Sequence, residues 1–395
     1  MEMDHSQHSQ STLSEKQALE ETDIASQKAS EIFEACKWRD TTRLRLLAES
    51  PGGFLADECR RVAWPILLGV TPSATADAGV ATDDGWKKLP RHKDEEQVQL
   101  DVNRAFIYYP NDQSSAQIDQ RKTELSNLIV EVLRRYPYLC YFQGYHDICQ
   151  VFLLVLGPAH SLPAVARLSI LRIRDFMLPT LGPTTSQLRL LPDILAKADP
   201  ELRRHIAGVE PFYALAGTLT MYAHNIEGYR DIARMFDVFL AREPVFSIYV
   251  FAQIVLNRRE EVLEVDDSDI LQVILSKVPS NLDLDALIAQ AASLFNRYPP
   301  ESLYSWRYIS SSSALKTARH VEAFSNQTVD DGHVYFIRQI KDIRWLETQD
   351  KIKRTVWVYR RPVRAIGIAI AVGMLAIYLR RHPATVHSIL SRVAR

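Results

Sequence analysis

The stretch Gln117–Pro137, QIDQRKTELSNLIVEVLRRYP, decides the fold class. Leu125, Leu128, Ile129, Val132 and Leu133 recur at i, i+3, i+4, i+7 and i+8, one face of a 3.6-residue period, and Pro137 closes the run. A strand of that length would alternate its apolar residues, and this one does not. The spacing therefore predicts an amphipathic helix with its apolar stripe turned to a core.

Working outward, the same pattern returns on both sides. SEIFEACKWRDTTRLRLLAES has helical spacing, and GGFLADECRRVAWPILLGV reads as a helix opening after its glycines. Downstream, RLSILRIRDFM, LLPDILAKADPELRRHI, PFYALAGTLTMYAHNI, YRDIARMFDVFLARE, PVFSIYVFAQIVLNRREEVLE, DLDALIAQAASLFNRYPP and DGHVYFIRQIKDIRWLE are each predicted helical. Strand alternation is missing, no Asn-Gly or Asp-Gly turn joins two apolar runs, and no repeat of 30 to 45 residues is visible. The expectation is an all-α body rather than a solenoid.

The two ends read differently. Residues 1–25 are polar, rich in Ser, Gln and His, and too poor in large apolar side chains to offset ordering, so they are expected to be disordered. Residues 71–85 form a loop of small and polar residues. Near the other end, AIGIAIAVGMLAIYL (365–379) carries no charge and is framed by arginine pairs. Counted from Val363, it gives roughly 25 Å of helix, close to the ~27 Å hydrocarbon layer of the endoplasmic reticulum. Trp357 and Tyr359 lie one turn outside, where interfacial aromatics belong. A transmembrane tail anchor over 363–379 is the expectation, with a short basic lumenal tail at 380–395 and the helical body in the cytosol.

The charge distribution agrees. The chain of 395 residues has a formal charge of −1, yet from Lys351 onward it holds ten Lys and Arg and no Asp or Glu. A mildly acidic body on a cationic tail points to a lipid surface and away from nucleic acid. The four cysteines show no CxxC pairing, as suits reduced thiols facing the cytosol.

Several chemistries are excluded by pattern. No GxxxxGK[ST], HExxH or GxSxG occurs. Cys140, His146, Asp147 and Cys149 cluster in sequence, but the cysteines flank the start of an apolar helix, where buried thiols are common. Metal or thiol catalysis is not expected there. Three short elements remain: RRVAWPILLG (60–69), VQLDVNR (98–104) and YFQG (141–144). Singly, each has a plain structural explanation: a helix face, an i, i+3 ion pair between Asp101 and Arg104, and a glutamine bonding nearby backbone.

In this order and spacing, the three elements resemble the motifs of the TBC domain, the fold of most Rab GTPase-activating proteins. Arg60 and Trp64 match its R-x-x-x-W, Asp101 and Arg104 its I-x-x-D-x-x-R, and Tyr141 and Gln143 its Y-x-Q. RMFDVFLAREP (234–244) resembles a later helix of that family, and the likeness covers about residues 41–305. Val98 departs from the usual Ile and GYHDI from the usual GMNDI. With PRHKDEEQVQLDVNR and the terminal apolar run, the latter looks similar to the endoplasmic-reticulum-anchored branch of the family.

The resemblance implies a TBC domain over 26–305, followed by a helical juxtamembrane linker at 306–362. It implies a catalytic activator of Rab GTP hydrolysis in early secretory traffic, with no hydrolase activity of its own, or alternatively a non-catalytic Rab-binding scaffold. Arg104 and Gln143 would be the catalytic pair supplied to the Rab, with Asp101 and Tyr141 in support and Arg60 and Trp64 as scaffold. No cofactor of its own is implied, since GTP and Mg²⁺ belong to the Rab. The implied partners are a GTP-bound Rab, the lipid bilayer and further endoplasmic-reticulum membrane proteins.

Overall fold

The computed structural model describes residues 23–71, 84–110, 112–320 and 325–381. The predicted disorder falls outside them up to residue 22, most of the 71–85 loop likewise, and the predicted lumenal tail from residue 382. Among the described residues every regular element is helical, as an all-α chain requires.

The helix read from its period runs Ser115–Arg135 and buries Leu125, Leu128, Ile129, Val132 and Leu133, the five residues of the predicted stripe. Its start lies two residues before the quoted stretch. Ser114 caps it, accepting from the Gln117 backbone while the Gln117 side chain returns to the Ser114 N–H, so two orphan donors are satisfied reciprocally.

At the centre lies Tyr145–Leu156, a helix apolar nearly all round and buried at ten of its twelve positions. Such a helix needs neighbours on every side. It has them in Asp57–Leu67, Glu95–Val102, Ser115–Arg135, Pro158–Arg167 and Tyr229–Ala241. Trp64, Phe152 and Phe236 meet there with ring centroids 5.4 to 5.9 Å apart. A second packed layer pairs Phe246–Asn257 with Leu284–Arg297, where the Tyr249 ring meets Phe295 edge-on at 4.9 Å.

Several predicted helices are broken: SEIFEACKWRDTTRLRLLAES divides at residues 38–40, LLPDILAKADPELRRHI at Asp199, and RLSILRIRDFM into a π turn at Leu168–Arg172 and a 3-10 turn at Arg174–Met177. PVFSIYVFAQIVLNRREEVLE divides at Arg258 into Phe246–Asn257 and Arg259–Leu263. PFYALAGTLTMYAHNI holds only a 3-10 turn at Pro211–Ala214 and a short helix at Leu215–Leu219. Beyond them Met221 and Tyr222 both take positive φ, 50° and 67°, which ends the helix outright. Burial explains the break: the Tyr222 side chain turns inward, stacks on Phe239 at 5.4 Å and donates to the Ser247 carbonyl.

The compact first unit extends to Gln339, well past the boundary expected at residue 305. Gln339 is 2% exposed and donates to Asp175 while accepting from Arg174, and the His333 and Phe336 rings lie 4.3 and 4.9 Å from Tyr138. At the other end, a helix over 23–37 reaches three residues into the stretch read as disordered.

The second unit begins at Ile340 and is helical as far as Arg381. Trp345, Trp357 and residues 367–378 are exposed. Among the described residues no helix is long and apolar enough to cross a membrane. The backbone of 363–379 is helical throughout, but the side chains of 363–366 and 379 lie outside the description.

Candidate functional site

Glu95–Val102 carries the second motif. Glu95 fixes it at both ends of its own side chain, accepting from the His92 N–H at 2.7 Å and from Arg134 of the long helix at 2.7 and 2.9 Å. With the helix so placed, Val98, Asp101 and Val102 face inward. Asp101 is fully buried, and a bare carboxylate there would be costly. Three donors compensate it. Gln97 Nε2 at 3.0 Å and Arg104 Nη2 at 2.6 Å reach Oδ1, and the Tyr141 hydroxyl reaches Oδ2 at 2.9 Å.

The Arg104 guanidinium is thus held through one nitrogen while its side chain stays 62% exposed. The chain beyond it is pinned by Gln150, a buried amide within the apolar central helix, whose Oε1 accepts from the Phe106 N–H at 2.9 Å. A glutamine inside CQVFLLVL was the available signal, and the sequence reading passed over it.

Tyr141 joins the third motif to the second. Its N–H donates to Asp94 at 2.9 Å and its hydroxyl to Asp101. Burial, reinforced by the charge and hydrogen bond of Asp101, pushes the phenol above its ordinary range, so it remains a protonated donor. Phe142 turns into the core against Tyr145 and Phe176, and Gln143, next in line, is exposed.

Gly144 caps the central helix at φ +97°. A Cβ there would sit 2.5 Å from Thr220 Cγ2, so both conformation and space call for glycine. Gly144→Ala is expected to cost at least about 1–2 kcal/mol of stability and to displace Gln143. Thermal melting and single-turnover GTP hydrolysis, read together, check this; unchanged values in both would refute it.

Arg104 and Gln143 line one cleft of about 430 Å³, together with Phe106, Asp147, Leu219 and His224. Asp147, in the first turn of the central helix, accepts from His224 Nδ1 at 3.1 Å, and its other oxygen lies 3.2 Å from His146 Nε2. The sequence reading dismissed His146 and Asp147 with the cysteines and passed over His224, which no local pattern marks. Among the described residues no His, Cys, Asp and Glu cluster could hold a metal ion. Cys149 is fully buried and Cys140 half-buried.

A larger cleft of about 800 Å³ lies beside Asp57, Arg61, Tyr229 and Asp285 and contains none of the four predicted site residues. It borders the first motif instead. Arg60 and Trp64 are buried and bond to Asp237 of the RMFDVFL stretch, so these two stretches are halves of one internal network.

Residues 57–263 match the Rab-GTPase-TBC domain family. The chain is 37% identical to TBC1 domain family member 20 of Homo sapiens over 281 residues, 70% of this chain and 68% of that protein. It is 32% identical to GTPase-activating protein gyp10 of Schizosaccharomyces pombe over 288 residues, 71% and 76% of the two chains. Among solved structures, the Ypt/Rab-GAP domain of Gyp1p superposes with a TM-score of 0.56 at 15% identity, covering 65% of this chain and 93% of that one. The Chlamydomonas flagellar RabGAP TBC domain gives 0.53 at 15%, covering 69% and 92%. At that identity the likeness bears on the fold alone.

Proposed function

The chain belongs to the Rab-GTPase-TBC domain family and is a Rab GTPase-activating protein of the TBC type, and from that premise we propose that Arg104 and Gln143 are the two groups it inserts into the Rab site. One observation supports the assignment above others. Two polar side chains from separate elements are exposed on the lining of the same cleft, while the residues that hold them, Asp101 and Phe142, are buried. The exposed Ile107 and Tyr108 beside Arg104 offer apolar surface for the partner.

GTP hydrolysis passes through a loose transition state in which charge spreads over the transferred phosphoryl group and the leaving oxygen. Arg104 brings a permanent charge and a planar fork of donors to that oxygen, and Asp101 orients the fork from behind. Gln143 has both a carbonyl and an amide N–H to offer, so it can accept from the attacking water and donate at the same time. The nucleotide and Mg²⁺ come with the Rab.

The test is a panel of GTP-loaded Rabs assayed by single-turnover hydrolysis with the wild-type chain and Gln143→Ala. The variant is expected to lose roughly 10²–10³ of the acceleration, the range for removing one preorganised group at developing charge. A scaffold would leave the hydrolysis rate at its intrinsic value with either protein.

The site of action we assign is the endoplasmic reticulum membrane, with a Rab of early secretory traffic as substrate and residues 363–379 as anchor. The uncharged run at 365–379 and the ten Lys and Arg from residue 351 onward support this reading. A fluorescent fusion is expected to mark that membrane and to become diffuse on removal of residues 355–395. Diffuse signal from the full chain would overturn the anchor.

A further inference from the structure

We propose that His224 is a positioning residue for the reaction: through its bond to Asp147 it latches the 220–226 turn onto the start of the central helix and so fixes the loop that presents Gln143. The inference rests on the reading of Gln143 given above.

The geometry has three parts. The turn is held from beneath by the buried Tyr222, and its Thr220 methyl lies where any side chain at position 144 would go. It therefore forms the wall behind the Gln143–Gly144 peptide. Met221 and Tyr222 hold positive φ, a conformation unfavourable for non-glycine residues, so the turn keeps its shape only while its contacts hold. Its far end is tied by His224 Nδ1 to Asp147 Oδ2 at 3.1 Å, and Asp147 lies three residues after Gly144. Turn, helix start and glutamine loop thus form one closed frame, with the His224–Asp147 bond as its exposed edge.

That edge is sensitive to charge. The other oxygen of Asp147 lies 3.2 Å from His146 Nε2, and Asp101 lies 4.0 Å from His146 Nδ1. Burial, working against the charges of Asp147 and Asp101, lowers the pKa of His146, which makes it the neutral member of the pair. The hydrogen bond to Asp147 raises that of His224, with burial and the charge of Arg104 opposing. Tyr109, whose phenol is raised by burial first and then by Asp147, stays neutral. His224 is the titrating group of the frame. With its pKa raised in the fold, its ion pair with Asp147 is complete below about pH 6.5 and is lost as pH climbs through the raised value. The side chain is 64% exposed, which places the pair among the weak ones, worth a few-fold rather than orders of magnitude.

The experiment uses the full chain and the Rab most accelerated in the panel, each rate divided by that Rab's intrinsic rate at the same pH. Between pH 6.5 and 8 the acceleration by the wild-type chain is expected to fall roughly two- to fivefold. His224→Asn keeps a neutral donor near the Nδ1 position and is expected to give a flat profile at the lower level. His224→Lys stays charged across the range and is expected to be flat at the higher level. Coincident wild-type and His224→Asn profiles, or a His224→Lys profile that slopes like the wild type, would overturn the latch. NMR of histidine-labelled protein supplies a readout independent of the Rab: His224 should titrate above about 6.5 and move down in Asp147→Asn. Titration at or below that value, or no response to the substitution, also overturns it. Arg104→Ala separates the two readings. If it leaves the acceleration intact, the assignment of the catalytic pair fails, and the NMR titration still decides the latch.

Discussion

Replacing Arg104 with alanine is expected to reduce single-turnover GTP hydrolysis on the responsive Rab by about 10³-fold or more, equivalent to roughly 4 kcal/mol of transition-state stabilisation. Folding should be nearly untouched. The guanidinium is largely in solvent and contributes one bond to Asp101, while Gln97 and Tyr141 continue to satisfy that buried carboxylate. Water can take the vacated place at Oδ1, so the stability cost stays within about 1 kcal/mol. Arg104→Lys sharpens the test. It keeps the charge and loses the planar fork, so its rate should lie closer to alanine than to wild type. A loss of rate with unchanged melting temperature and unchanged binding to a Rab holding a non-hydrolysable GTP analogue places the residue in the chemistry. An unchanged rate would remove Arg104 from the chemistry.

The residues explain why some of this was legible and some was not. The Ser115–Arg135 helix could be read because its five buried apolar residues repeat locally. Asp101 and Arg104 were readable as a pair because i, i+3 is a local spacing on a helix. The convergence of Arg104 with Gln143 at one cleft was not readable from spacing. It depends on Tyr141 bridging Asp94 and Asp101 across 47 and 40 residues, and on Gln150 reaching back 44 residues to Phe106. The break at Met221 and Tyr222 was hidden for a related reason. PFYALAGTLTMYAHNI has acceptable helical composition, and only the burial of Tyr222 against Phe239 makes the left-handed turn the better state. The attachment of residues 306–339 to the first unit is hidden in the sequence because it is long-range: Ser313 and Gln339 donate to Asp175, Gln339 and the Ser312 carbonyl accept from Arg174, and Phe336 meets Tyr138.

The largest stability effect is expected at Asp237, which lies outside the cleft altogether. It is fully buried and accepts from Arg60 at 3.0 and 3.1 Å, from the Trp64 indole at 2.8 Å and from the Phe54 N–H at 3.0 Å. Those donors belong to two segments of the chain, the 51–56 turn and Asp57–Leu67, and the acceptor to Tyr229–Ala241. Even the turn is shaped around it: a Cβ at Gly53 would come within 2.6 Å of the carboxylate. Asp237→Ala leaves Arg60, itself 5% exposed, with Asp57 as its remaining carboxylate at 3.0 Å, and strands two further donors. Breaking a buried pair from one side costs about 3–5 kcal/mol. Arg60→Met, which strands the charge on the other side, should cost a similar amount. The double variant Arg60→Met/Asp237→Leu removes both charges together and is expected to be more stable than either single one, because the penalty comes from the orphaned charge rather than from the missing attraction. Denaturant unfolding of the four proteins checks this, and additive losses would refute it. Such a result would also separate the motif stretches by purpose. Arg60, Trp64 and Asp237 hold the helices that frame the cleft, and Arg104 and Gln143 are free to act because that frame does not depend on them.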